Sequence, residues 1–237
     1  IPLASLVRSS PERMGIGADL PFPKEGEPDS RPVVVDFTVR QALRTKSYWI
    51  LFTGSVLRIS LWGTISLHSV EMFVWKGMSH EQAGLMFSLM FLLSIPLRLL
   101  VGVLGDKFPL PPMMGAGMVS AALAVLAMLV MDGNIAVYLF VMLMAIEQGA
   151  SSLNWVSLGN FFGRTSFATL MGLISVAFNI GMLITPIYAG LVFDRTGSYT
   201  VVLVSFLPIY LAAGAFFLMT RKPDAPVTAR TAAAYGR

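Results

Sequence analysis

The sequence predicts an all-α membrane protein with six spanning helices, on three observations. First, 55% of its 237 residues are hydrophobic and only 13% are charged. Mean hydropathy is +0.72, whereas a soluble domain carries about 25% charged residues. Second, the apolar residues gather into six runs, each near the roughly 20 residues that cross a bilayer. Third, the basic residues fall on one side of those runs. Placing the residues before the first run in the cytoplasm leaves only Lys76 and Arg195 in turns on the far side. Arg58 and Arg98 lie within spans, and the rest of the 17 lysines and arginines are cytoplasmic. That asymmetry orients both ends of the chain inward.

The order of elements follows. Residues 1–7 are apolar but too short to span, are followed at once by Arg8, and have no basic stretch before them. They read as the last turns of a preceding helix rather than as a signal peptide, and the chain as the carboxy-terminal part of a longer protein. Residues 9–46 are polar, with Pro11, Pro21, Pro23, Pro28 and Pro32. That composition buries no core and reads as a cytoplasmic linker. Toward its end, Phe37, Val39 and Leu43 suit one side of a short interfacial helix, with Arg40, Arg44 and Lys46 toward lipid head groups. The bundle occupies 47–220. Its spans are expected at Tyr48–Val74, Ala83–Leu104, Met113–Met131, Ile135–Leu158, Phe167–Phe193 and Tyr199–Thr220. The connections are short, so successive helices are antiparallel neighbours. Residues 221–237 form a polar cytoplasmic tail.

Composition also excludes. There is no cysteine, so disulfides and thiolate metal sites are absent. Two histidines, His68 and His80, cannot make a histidine-rich metal site. No Gly-x4-Gly-Lys-Ser/Thr loop is present, so the sequence offers no site for ATP, and no cofactor is expected. Gly149-Ala-Ser-Ser152 faintly resembles the serine stretch of intramembrane proteases, but no histidine lies at its depth to act as base.

Ionisable residues inside a membrane are costly and mark function or pairing. At 1.5 Å per residue, Arg58 and Glu147 each lie about 15 Å from the cytoplasmic ends of their spans. Both are therefore near mid-membrane. Either they form a site, or they are a structural buried pair, or they face different ways and never meet. Gln148, Ser151, Ser152 and Asn154 follow Glu147 on one helix and either bind a ligand or hydrogen-bond neighbouring helices. Arg98, Gly102 and Gly105 share one face of the second span, which ends in Asp106-Lys107. Small residues there admit a second helix backbone.

Four segments carry a family resemblance. They are Ser10-Pro-Glu-Arg-Met-Gly15, Arg98-Leu-Leu-Val-Gly102-Val-Leu-Gly-Asp106-Lys107, Phe162-Gly-Arg164 with Gly172, and Pro186-Ile-Tyr-Ala-Gly190 through Asp194 to Tyr199. In this order they resemble the carboxy-terminal half of the major facilitator superfamily, and most closely its monocarboxylate and oxalate/formate carriers. The sequence departs from the fuller family loop after Asp106, where Phe108-Pro-Leu-Pro-Pro112 replaces a second basic cluster. The resemblance implies one half of a twelve-helix bundle whose amino-terminal six-helix half lies outside this sequence. It implies that the first and fourth spans line a central cavity, with Arg58 attracting an anionic substrate and Glu147 as counter-charge or proton site.

On the same footing Gln148 and Asn154 join the substrate site. His68 takes either a role at the cavity mouth, suited to a proton-linked step, or that of a plain interfacial histidine. Arg98, Gly102, Asp106, Lys107 and Arg164 form a cytoplasmic gate in which Asp106 meets the Arg164 segment, or else Asp106 and Lys107 are two solvated loop charges. The expected activity is secondary transport of a small organic anion such as a monocarboxylate across the plasma membrane, proton-coupled or by exchange, without nucleic-acid partners. A multidrug-type efflux carrier is the alternative on this scaffold. A complete six-helix enzyme or channel is the alternative outside it.

Overall fold

The computed structural model describes residues 36–224. The expected preceding helix, most of the linker, the Ser10–Gly15 segment and most of the tail lie outside them. The first described element is a five-residue helix, α1 (Val39–Leu43), closed at its start by reciprocal bonds between Thr38 and Gln41. Six apolar stretches long enough to cross a membrane follow. They are α2 (Lys46–Trp75), α3 (His80–Gly105), α4 (Leu110–Val130), α5 (Gly133–Ala150) continued by α6 (Leu153–Phe162), α7 (Phe167–Thr196) and α8 (Thr200–Met219). The protein is a multi-pass membrane protein.

Most helix ends differ from the expected spans by a few residues, and capping explains it. Hydropathy marks the apolar stretch, while the helix begins at its cap. Ser79 accepts from the Gln82 amide, so α3 takes up the polar His80-Glu81-Gln82 turn. Thr45 does the same for α2 through the Tyr48 amide. α4 starts behind Pro109 with Pro111 and Pro112 in its first turn, where an amide proton would have no intrahelical partner.

The fourth span is not one helix. It breaks at Ser151–Ser152, where the Ser151 amide donates to Gln148 O and the Trp155 amide to Ser152 O. These three-residue bonds tighten the chain between α5 and α6.

Five helices form a closed ring: α2 packs on α8, α8 on α4, α4 on α5, α5 on α3, and α3 back on α2. α7 lies outside the ring against α2. The α3–α5 contact is close because Gly149 has no side chain. A Cβ there would sit 2.8 Å from Leu97 Cβ. α3 and α7 bury little of their surface and present rows of aliphatic side chains outward, among them Leu92, Leu99, Val176 and Leu183.

Both ends of the bundle are tied. At the end opposite α1, the Lys76 amine donates to Met131 O at 2.7 Å and to Asp132 at 3.2 Å. At the α1 end, Asp36 clamps the α6–α7 turn. Its carboxylate accepts from the Arg164 amide at 2.9 Å and from the Thr165 hydroxyl. The Phe37 amide donates to Phe162 O, and Ser166 donates to Phe37 O. Phe37 is buried, edge-on to Phe162.

The expected gate residues do not meet one another in this structure. Arg164 is held through its backbone by Asp36, not by Asp106, because the linker end occupies that turn. Asp106, Lys107 and the Arg164 side chain are exposed and form no ion pair among the described residues. Gly102 admits no helix among the described residues: a Cβ there would meet nothing within 4 Å.

Gly163 permits the clamp with φ +81°, and a Cβ on it would overlap the Asp36 carboxylate. Gly163→Ala is therefore expected to cost more than about 1 kcal/mol. Gly172→Ala, in open space within α7, is expected to be neutral or slightly stabilising. Thermal melting of the purified protein in detergent separates the two. Equal melting temperatures would show that the clamp contributes nothing.

Candidate functional site

The ring is not packed solid. α2 and α5 scarcely touch directly, and the side chains that bridge them are charged. Arg58 Nε donates to Glu147 Oε1 at 2.6 Å. Arg58 is 8% exposed and Glu147 2%. The two side chains meet, which removes only the outcome in which they face different ways. Tyr210 of α8 lies buried within electrostatic range of both.

Beside the pair is a cavity of about 320 Å3, lined by Arg58, Ile59, Trp62, Arg98, Gln148, Ser151, Ser152 and Trp155. Helical spacing explains the set. Arg58 and Trp62 are four residues apart on α2, while Gln148, Ser151, Ser152 and Trp155 recur at three- and four-residue steps along α5 and α6. The two indole rings are held by aromatic neighbours. Trp62 meets Phe91 at 5.9 Å, and Trp155 meets Phe178 at 6.5 Å.

Arg98, expected in the gate, instead belongs to this cavity. The close α3–α5 crossing at Leu97 and Gly149 places the next side chains together. Arg98 Nη2 donates to Gln148 Oε1 at 3.3 Å, a long bond for this type. Arg98 has no acidic partner among the described residues. Gln148 is 5% exposed, and its Nε2 has no partner. A buried amide left unpaired is costly, so this one lacks an acceptor. Two arginines and one glutamate leave the cavity with one positive charge in excess.

Two other expected site residues lie elsewhere. Asn154 is on the far side of Arg58. Its Oδ1 pairs with the Ser55 hydroxyl at 2.7 Å, and it lines a crevice of about 10 Å3 with Met114, Met118, Ala150 and Phe217. That is room for about one water molecule. Its Nδ2 is buried and unpartnered, which suits such a water.

His68 is ten residues beyond Arg58, about 15 Å along α2, and lines neither cavity. Its Nδ1 is 3.0 Å from the hydroxyl of Tyr199, which stacks on Phe193. The rest of the cavity lining was within reach of periodicity. Trp62 and Trp155 fall on the faces of Arg58 and Gln148, but tryptophans near mid-span read equally well as packing.

Burial, with the Glu71 and Asp194 charges, pushes the Tyr199 hydroxyl up to about 12. The folded protein thus holds this proton more tightly than the unfolded chain, which loses it near 10. The contribution is intact below pH 10 and lost as pH rises toward 12. Melting temperature is expected to fall over that interval, and less steeply in Tyr199→Phe.

Removing one member of the buried pair strands the other. Glu147→Leu is expected to destabilise by about 3–5 kcal/mol. Adding Arg58→Met is expected to restore most of that, measured by thermal melting. A double variant no more stable than Glu147→Leu would show that Arg58 does not depend on Glu147.

No curated protein matches this sequence. The family model for the Major Facilitator Superfamily matches residues 24–235, which includes every described helix. Six apolar spans, three of which line a charged cavity, fit a family of membrane transporters of small molecules. The chain belongs to the major facilitator superfamily of secondary transporters.

Proposed function

We propose that this chain forms the substrate-binding carboxy-terminal half of a carrier for a small organic anion, a monocarboxylate among the candidates, working by alternating access. The observation that carries this reading is Arg98: a guanidinium at the cavity with no carboxylate partner, beside a buried amide that lacks an acceptor. Arg58 is the weaker anchor because Glu147 already neutralises it. Its two amino groups have no partner among the described residues, so they remain able to donate into the cavity.

Glu147 supplies a coupling route. Protonation would release Arg58 from its partner and raise the positive charge offered to an incoming anion. Anion binding and proton binding at this site would then favour one another, as symport requires. Exchange of one anion for another needs no such step and uses the same arginines.

The outward aliphatic rows of α3 and α7 suit cover by lipid and by an amino-terminal six-helix half. In that arrangement Asp106, Lys107 and Arg164, all exposed at the α1 end, serve as a gate against the other half rather than against one another. Orientation with both ends cytoplasmic rests on the distribution of basic residues.

The test is uptake of labelled organic anions by the protein reconstituted from its native membrane into vesicles, with and without an imposed proton gradient. Arg98→Ala is expected to lower uptake at least about tenfold, the scale of one charge-assisted contact, with partial rescue by Arg98→Lys. Full uptake at unchanged affinity in Arg98→Ala would overturn the reading. The same result in Arg58→Ala would reduce that residue to a structural ion pair.

A further inference from the structure

We infer that the anion bound in this cavity is a monocarboxylate carrying a planar ring, with its carboxylate on Arg98 and Gln148 and its ring between Trp62 and Trp155. This deepens the anion-carrier reading and rests on it.

The polar end comes first. Gln148 Oε1 is engaged by Arg98, which fixes the amide so that Nε2 is left as a donor. A guanidinium and an amide donor side by side suit the two oxygens of one carboxylate. A hydroxyl or a neutral amide in the same place would leave the Arg98 charge uncompensated. With Glu147 ionised, the described residues leave one positive charge in excess, which a monoanion neutralises. A dianion would leave an uncompensated negative charge in a membrane interior, where it is expensive.

Beyond Arg58 and the hydroxyls of Ser151 and Ser152, the remainder of the lining is aromatic and aliphatic. Trp62, Trp155 and Ile59 come from α2 and α6, and both indoles are steadied by a neighbouring phenylalanine. The cavity, at about 320 Å3, is far larger than an acid of two or three carbons. Such a ligand would satisfy Arg98 and Gln148 and leave the indoles facing water. A ring covers them, and aromatic faces and edges attract one another beyond simple burial. Charge and the two indoles thus point to the same class.

The test is equilibrium binding to the full-length protein in lipid nanodiscs, read by tryptophan fluorescence and by displacement, with benzoate, acetate, phthalate and benzamide as probes. Benzoate is expected to bind at least about tenfold more tightly than each of the others. Trp62→Leu and Trp155→Leu are expected to lower the benzoate-to-acetate affinity ratio. Trp62→Phe and Trp155→Phe are expected to keep most of it, and melting curves confirm that each variant folds.

Acetate binding as tightly as benzoate, or a ratio unmoved by the leucine variants, would overturn the ring assignment while leaving the anion reading intact. Tighter binding of phthalate would overturn the charge count. Benzamide equal to benzoate, or no binding of any carboxylate by folded protein, would overturn the anion reading itself.

Discussion

The Arg58–Glu147 pair is the constraint around which the bundle is arranged. A charge far from water must have a partner, and the low-dielectric interior enforces this more strictly than a protein surface would. The 2.6 Å contact joins α2 to α5 across a gap that apolar packing does not close. The ring of α2, α8, α4, α5 and α3 supplies the low-dielectric wall. The pair in turn holds two sides of that ring at a fixed separation. Solvent-sized space persists on both faces of Arg58, the cavity on one and the one-water crevice beside Asn154 on the other. Replacing the pair with packed aliphatic side chains would fill that space and remove the site.

Against this frame the two arginines differ. Arg58 is buried and bonded to an acid, so most of its field is spent locally. Arg98 reaches the cavity from α3, the helix with little buried surface, and is met only by a neutral amide. Gly149 brings them together, since any side chain there would push α3 away from α5 and separate Arg98 from Gln148. A residue with no side chain thus sets the polar geometry.

The fold was largely legible in the sequence, because bilayer thickness forces long apolar runs and leaves little ambiguity about where helices lie. The depth of Arg58 and Glu147 followed from helical rise alone. Arg98 did not, since periodicity shows which residues share a face but not what that face meets. Its neighbours Gly102 and Gly105 suggested a second helix backbone, and among the described residues Gly102 meets none. The break at Ser151–Ser152 was illegible for another reason. Both residues keep right-handed helical dihedrals, so only the hydrogen-bond spacing changes. The Asp36 clamp spans 128 residues of sequence and carries no local signal.

The break and the clamp together have a mechanical consequence. α6 is a ten-residue rod, about 15 Å long. At one end its hydrogen bonds tighten at the Ser151–Ser152 step, and there Ser152 and Trp155 form part of the cavity wall. At the other it is fastened, through Phe162 and the following turn, to Asp36 and Phe37. One short helix therefore joins the chain entering the bundle to the wall of its binding space.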